Sequence, residues 1–543
     1  MPTFSLNGKT LTVPPGTTIL EAALTAGIEI PHYCYHPGLS VDGSCRMCQV
    51  EVERSPKLLV ACATPVAEGM VVQSGGERVE KARRSVLEFY LLNHPLDCPV
   101  CDKGGECPLQ DYTMRFGSGG SRYTEPKVKR VKHRKIGPYI VFDAERCILC
   151  TRCVRFCQDV VGTGELGIVF RGAQSEITLF PGKELDNRYS GNVIDLCPVG
   201  ALTSERYRFQ ARPWDLVKQE PSVCPGCSRG CNTVLDVRHL ERKGPEILRV
   251  HPRHNGEVNG YWICDIGRFE TLPVVGRCLL RGPALRRDGG LQAASVPEAV
   301  AALGDRLAAL LEQEGPGAIG IIASSRLTCE ELYLVRRLAT DVLGTPHLDF
   351  RVRPAQAEGG DAAEDHLLLR RDRTPNSEGA RRLRVLPGPG GHDVAGMLRA
   401  ARAGALKALL VFGEDLVVQD AALPEVAEAL TALVFLAVWE VRETATARRA
   451  DMLFPLPGAS EKEGSFVNFA GRLQRIGKVV EPEGAVPPLG EVLRELALAW
   501  GKPFPPASPL EVWPEVAAAL GGGLPEDLPA LPEAGVALPA DAP

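Results

Sequence analysis

No run of 18 apolar residues occurs in the 543-residue chain, so no segment reads as a membrane-spanning helix. The opening MPTFSLNGKT lacks the basic and apolar regions of a secretory signal, and a reducing compartment is expected for the thiols. An excess of one charge is missing too. Lys and Arg number 62 against 67 Asp and Glu, a formal net of −5, which argues against nucleic acid as the main partner. No G-x-G-x-x-G turn sits between a strand and a helix, so no dinucleotide site is expected. No Cys–His pair stands out as a nucleophile, and no catalytic residue is assigned. There is no internal repeat of fixed period. At this length about three or four domains are expected.

What is abundant is cysteine. There are 18, all but one before residue 280, and fifteen fall into four separated groups. The most telling is Cys147-x2-Cys150-x2-Cys153-x3-Cys157, the spacing of a bacterial ferredoxin cluster loop. Soft thiolates select iron–sulfur clusters, zinc or Cu(I) over hard cations. Zinc sites pair their CxxC units two by two, whereas this compact run points to a cubane. In two-cluster ferredoxins the fourth cysteine of such a run serves the other cluster. The fourth ligand is therefore expected downstream and before a proline, as Cys197 is in GNVIDLCPVGAL, with Cys157 left over.

Three other groups surround this one. Cys34-x10-Cys45-x2-Cys48-x13-Cys62 follows a hairpin signal, Asn7-Gly8 between Thr3–Leu6 and Thr10–Val13. A short helix, ILEAALTAG, lies between, capped by Thr17 or Thr18 and stopped by Gly27. The second group, His94, Cys98, Cys101 and Cys107, has the pattern H-x3-C-x2-C-x5-C; by residue type alone it suits zinc as well as a cluster. The last is Cys224-x2-Cys227-x3-Cys231 with Cys264. Beyond residue 280 the buried strand GAIGIIAS and the helix LTCEELYLVRRLATDVLGTPHLD begin an alternation that predicts a parallel sheet covered on both faces. Residues 355–395 show no clear core pattern. From Lys502 the Pro- and Ala-rich sequence reads as a tail with little core of its own. The basic run KVKRVKHRK (127–135) reads as a solvated loop.

The hairpin, helix and first Cys loop resemble the β-grasp of [2Fe-2S] ferredoxins, with a ten-residue first gap in place of the plant-type four. HPLDCPVCDKGGECPLQD resembles a [4Fe-4S] motif with one His and three Cys ligands. The Cys224 group resembles the N-terminal cluster of molybdopterin oxidoreductases, and WEVRETATARRADMLFPLPGASEKEGSFVNFAGRLQ is similar to their later pattern. In this order the motifs resemble the family of large iron–sulfur subunits of bacterial NADH–quinone oxidoreductases, respiratory complex I.

That resemblance implies a multidomain α+β and α/β chain. Its parts are a β-grasp [2Fe-2S] domain (1–78), a His/Cys3 [4Fe-4S] domain (79–118), a ferredoxin-like [4Fe-4S] domain (119–215), a four-cysteine cluster domain (216–272), a vestigial molybdopterin oxidoreductase-like domain (273–501) and the tail (502–543). It implies one [2Fe-2S] cluster on Cys34, Cys45, Cys48 and Cys62. Three [4Fe-4S] clusters follow: on His94, Cys98, Cys101 and Cys107; on Cys147, Cys150, Cys153 and Cys197; and on Cys224, Cys227, Cys231 and Cys264. No molybdenum or molybdopterin is expected. The position matching the family's metal ligand is Arg353, and a guanidinium cannot be a metal ligand. Cys278 and Cys329 read as plain buried thiols. Electrons from a flavin-bearing, NADH-oxidising subunit would enter at the two-iron cluster. They would pass to the Cys147 cubane and then the His94 cubane, and leave to a ferredoxin-like subunit and quinone. Proton pumping would occur in membrane subunits, with this chain peripheral on the cytoplasmic face of a bacterial plasma membrane. The alternative is an iron–sulfur subunit of formate dehydrogenase or of an NAD-linked hydrogenase.

Overall fold

The Asn7-Gly8 signal closes a hairpin. Thr3–Leu6 pairs antiparallel with Lys9–Thr12, and both turn residues take positive φ. The computed structural model describes residues 1–240, 244–353, 364–417 and 426–539. It divides into two compact units, Met1–Val217 and Lys218–Pro543.

In the first unit the hairpin belongs to a five-stranded sheet. Its order is Lys9–Thr12, Thr3–Leu6, Val71–Gln73, Gln49–Val52, Leu59–Val60. Thr18, not Thr17, caps the helix Ile19–Thr25: its hydroxyl accepts from Glu21 N, and the Glu21 carboxylate accepts from Thr18 N. The helix lays Ile19, Leu20 and Ala23 on Phe4, Leu6, Val50 and Val72. Each fully buried large aliphatic contributes about 1.5–3 kcal/mol. This core anchors both ends of the first Cys loop. The 17-residue helix Glu77–Asn93 delivers His94 at its C-cap, and Pro108 starts the helix Pro108–Phe116 directly after Cys107. A three-stranded sheet (Leu202–Ser204, Ile140–Phe142, Arg134–Lys135) carries the chain on either side of the ferredoxin-type loop. The basic run 127–135 is not simply solvated. Lys132 Nζ lies 2.9 Å from the Glu145 carboxylate and 2.5 Å from that of Asp97, and Arg130 Nη1 donates to Ser175 O at 2.9 Å. Its charges neutralise acids that flank the cysteine loops, a pairing that sequence distance concealed.

The second unit opens with a three-stranded sheet, Leu216–Val223, Asn232–Leu240 and Gly244–Pro252. Its main sheet has seven strands in the order Gly290–Ala293, Ala284–Arg287, Met452–Pro455, Phe435–Glu440, Ala408–Phe412, Ile319–Ser324, His347–Arg351. The last five are parallel, and the first two form an antiparallel edge hairpin. IGIIAS, ALLVF and FLAVWE are buried along their whole length, as strands covered on both faces must be. One face packs on Val296–Glu314, Cys329–Arg337 and Leu489–Ala499. The other packs on Val394–Arg402 and Val426–Ala432.

Two expectations need correction. The segment after Lys502 is part of the core. Pro509–Ala519 is a helix that buries Val512, Trp513 and Val516 completely, and Val536–Ala537 pairs with Arg472–Ile476. Its apolar residues recur at helical spacing behind a proline at the first helical positions, a pattern that the Pro/Ala-rich average hides. Of 355–395, residues 355–363 lie outside the described ones, but Leu368, Leu369, Ala380, Leu383 and Val385 are all buried.

Candidate iron–sulfur centres

Cys34, Cys45, Cys48 and Cys62 are each at most 2 % exposed. Arg46, at φ 57°, turns the backbone between Cys45 and Cys48, and Cys62 sits in the single helical turn Ala61–Ala63. The thiols touch one another: Cys34 bonds Cys45 and Cys62, and Cys48 bonds Cys62. The bonds from Cys45 and then Cys62 hold the Cys34 thiol far below its ordinary range. The same contacts push Cys45 and Cys62 far up, Cys34 being the leading cause for each. Tyr33 N donates to Cys45 Sγ at 3.4 Å.

His94 is held as a neutral imidazole. Burial, reinforced by Arg146 and Lys127, lowers its pKa to about 4, and its buried Nδ1 has no hydrogen-bond partner. Cys101 and Cys107 are buried while Cys98 is exposed. Burial pushes Cys107 up to about 11. Gly200 leaves room for this group, since a Cβ there would fall 2.1 Å from Cys101 Sγ.

The structure brings Cys147, Cys150, Cys153 and Cys197 to the wall of one small apolar cavity of about 20 Å³, together with Ile148, Val199, Leu202 and Arg152. Leu149 and Thr151 stand at φ 54° and 60°, left-handed conformations that curl the loop around this space. Leu149 N donates to Cys147 Sγ at 3.4 Å, and the buried Arg152 Nε has no partner. Burial pushes Cys150 up to about 12 and Cys147 and Cys153 further. Cys157 does not line the cavity; its thiol bonds Glu165.

Cys224, Cys227, Cys231 and Cys264 are all buried, and Cys231 feels the other three electrostatically. Gly267 N donates to Cys264 Sγ at 3.3 Å, and a Cβ on Gly267 would approach Cys224 Sγ to 2.9 Å. Burial pushes Cys224 up to about 12. Burial thus favours the protonated thiol at Cys101, Cys107, Cys147, Cys150, Cys153, Cys224, Cys231 and Cys264, and metal binding must release those protons. Among the described residues no three His, Cys, Asp or Glu side chains converge on one point as a single ion requires. A cluster takes its ligands at separate irons, which stand further apart. Unpartnered imidazole, N–H donors aimed at sulfur and glycines that leave space beside thiols all fit that larger group.

Arg353 and Glu414 follow strands at the carboxyl end of the parallel sheet, where open α/β sheets bind ligands. Arg353 Nε lies 3.0 and 3.1 Å from the two oxygens of Glu414, which is wholly buried, and Arg351 Nη1 is 3.6 Å away. Burial pushes Glu440 up to about 7 beside them, against the pull of Arg353. Cys329 is buried against Asn376 and Cys278 donates to Leu280 O, so neither faces a ligand group. Sequence reasoning missed Gly200, Gly267, Arg152 and Arg155. Each is adjacent to a motif but is recognisable only by what the fold sets against it.

Five family models match in chain order: a 2Fe-2S iron-sulfur cluster binding domain (1–76), the NADH-ubiquinone oxidoreductase-G iron-sulfur binding region (83–122), the NADH-quinone oxidoreductase subunit 3 ferredoxin-like domain (137–203), the NADH-ubiquinone oxidoreductase NDSU1/NuoG-like 4Fe-4S domain (228–271) and molybdopterin oxidoreductase (373–499). The G-type subunit of the Rickettsia felis NADH-quinone oxidoreductase is 42% identical over 335 residues, 62% of this chain and 48% of that protein. The chain is a homologue of the G-type subunit of NADH-quinone oxidoreductase. The corresponding Streptomyces coelicolor protein is 41% identical over 371 residues, 68% of this chain and 43% of its own. The mitochondrial NADH-ubiquinone oxidoreductase 78 kDa subunit of Neurospora crassa is 46% identical over 299 residues, 55% of this chain and 39% of its own. The chain spans about half the length, or less, of these curated relatives. The succession of ferredoxin-type, cubane and molybdopterin oxidoreductase-like domains is that expected from the motifs.

Proposed function

We propose that this chain is the electron-relay subunit of an NADH–quinone oxidoreductase, with the sixteen ligands assigned as the motifs imply. The observation that carries this is the closure of Cys147, Cys150, Cys153 and Cys197, distant by up to 50 residues in sequence, around one small apolar cavity. The clusters, when bound, take up and release single electrons. The chain's own residues do the rest. Aliphatic walls exclude water, and backbone N–H groups at Tyr33, Leu149 and Gly267 direct positive charge at ligand sulfurs, which stabilises the reduced state. Neutral His94 removes one negative charge from its group relative to four thiolates.

The molybdopterin-like unit does no molybdenum chemistry in this reading, because Arg353, at the position matching the family's metal ligand, is a guanidinium paired with Glu414 and cannot ligate a metal. The partners are a flavin-bearing, NADH-oxidising subunit, a ferredoxin-like subunit and quinone-site subunits. Membrane subunits carry out proton translocation, and this chain docks peripherally on the cytoplasmic side. Among the described residues no helix is long and apolar enough to cross a membrane. The test is elemental analysis of anaerobically purified chain. One two-iron and three four-iron clusters give about 14 irons per chain, with negligible zinc and molybdenum. Zinc in place of iron overturns the relay. About one molybdenum per chain overturns the reading of Arg353 and restores a formate dehydrogenase-like active site.

A further inference from the structure

One short helical turn, Arg152–Arg155, lies against two ligand groups of the first unit at once. The Arg155 side chain is buried, and a single nitrogen, Nη2, donates to Cys34 O at 2.5 Å and to Cys150 O at 3.2 Å. Cys34 belongs to the two-iron ligand set and Cys150 to the ferredoxin-type set. The other nitrogens tighten the same junction. Nη1 donates to Ser40 O and Nε to Thr151 Oγ1 at 3.0 Å, and Thr151 in turn donates to Asp42 at 3.0 Å. Arg152 repeats the arrangement one turn earlier. Its Nη2 donates to Tyr35 O, next to Cys34, and its Nη1 to Leu196 O at 3.2 Å, next to Cys197. Arg152 lines the cavity enclosed by the four ferredoxin-type thiols, and its buried Nε has no hydrogen-bond partner.

Two guanidinium groups at this depth need a reason, because a buried charge is costly unless paired, and here the hydrogen-bond partners are carbonyls and a hydroxyl rather than carboxylates. With the clusters bound, the compensating negative charge would be that of the ligated thiolates: Cys34, Cys150 and Cys197 lie close enough to act electrostatically on Arg152, and Arg155 acts on Cys34 and Cys150. We propose that Arg155, with Arg152 beside it, is the positioning residue that couples the two-iron group to the ferredoxin-type group. Its planar fork fixes their separation. Its charge raises the potentials of both. Its Nη2 forms a hydrogen-bonded bridge from the Cys34 carbonyl to the Cys150 carbonyl. With both clusters bound, the junction that Arg155 holds would serve the passage of one electron from the two-iron site to the ferredoxin-type site, with no bond or proton exchanged. The inference rests on the relay reading and adds to it which residue makes these two centres neighbours in function.

The test uses the full chain, purified anaerobically with its clusters and titrated with dithionite under EPR detection. In Arg155→Met both clusters form, and both midpoints fall. Removing one unit charge about 10 Å away at an effective dielectric of about 20 shifts each one-electron equilibrium on the order of tenfold, about 59 mV. The His94 group stays where it is and serves as the internal reference. In Arg155→Lys the charge remains but the fork is lost. The midpoints stay near wild type while electron hand-over after photoreduction, followed by freeze-quench EPR, slows several-fold. Unmoved midpoints in Arg155→Met with clusters intact overturn the proposal, as does a wild-type transfer rate in Arg155→Lys. Should Arg155→Met lose its clusters, Arg155→Lys decides alone by that same rate. A wild-type chain without two-iron and four-iron EPR signals overturns the relay reading itself, an outcome distinct from failure of the arginine variants.

Discussion

Replacing Gly200 by alanine tests how closely the backbone encloses the His94 group. The added methyl would lie 2.1 Å from Cys101 Sγ and 3.4 Å from Lys103 Cβ. Ordinary contact begins near 3.4 Å, so the methyl and the sulfur must part by more than 1 Å. Metal ligation tolerates about 0.2 Å, so the thiol that moves this far ceases to be a ligand. If instead the backbone of Gly200 retreats, Cys197, three residues earlier, moves with it. Overpacking of this kind costs about 1–3 kcal/mol, a moderate loss that leaves a large chain folded. The expected outcome is therefore a folded protein that has lost a cluster. Iron should fall from about 14 to about 10 per chain while the two-iron EPR signal persists. Gly120→Ala, with no atom within 4 Å of its new methyl, should keep the full complement. Full iron content and an unchanged spectrum in Gly200→Ala would refute the assignment of Cys101 as a ligand.

Other perturbations probe different links. His94→Cys puts a negative thiolate where a neutral imidazole stands and should lower that cubane's midpoint; an intact cluster with an unmoved midpoint contradicts the ligand role. Glu330 is buried and its pKa is pushed up to about 7, against stabilising hydrogen bonds from Ser465. A raised folded-state pKa means that its contribution is fully present below about 4.5 and is lost as pH rises through about 7. Thermal unfolding of the second unit should weaken over that window by on the order of 3 kcal/mol, and Glu330→Gln should flatten the profile. Arg353→Met removes the nearest cation from buried Glu414, leaving Arg351 at 3.6 Å and the electrostatic pull of Arg326, and should cost about 3–5 kcal/mol in urea unfolding. Adding Glu414→Leu should recover much of that loss, and a double variant as unstable as the single would show that the pair is not the cause. Trp513→Ala should destabilise by about 3–5 kcal/mol, since its ring is wholly buried. A loss below about 1 kcal/mol would return the C-terminal segment to the status of a tail.

The proposed ligand groups were read from the sequence alone because cluster chemistry leaves local marks. CxxC steps, a histidine at ligand spacing and a proline after Cys197 are short-range requirements that survive in the linear order. The hairpin at Asn7-Gly8, the capped helix at Thr18 and the buried strands are local in the same sense, since turn geometry, capping and apolar runs involve near neighbours. Other features were decided by packing. Arg155 is one more basic residue until the fold sets Cys34 O and Cys150 O, 116 positions apart, on the same nitrogen. Gly200 is unremarkable until Cys101 Sγ comes to rest against it. The last forty residues have the composition of a tail, yet Trp513 and its neighbours complete the main core, because burial follows the spacing of apolar residues rather than their average. Arg353 shows both levels at once. Its side-chain type excluded a metal ligand, and only the tertiary structure supplied Glu414, the buried carboxylate that makes a cation at that place stable.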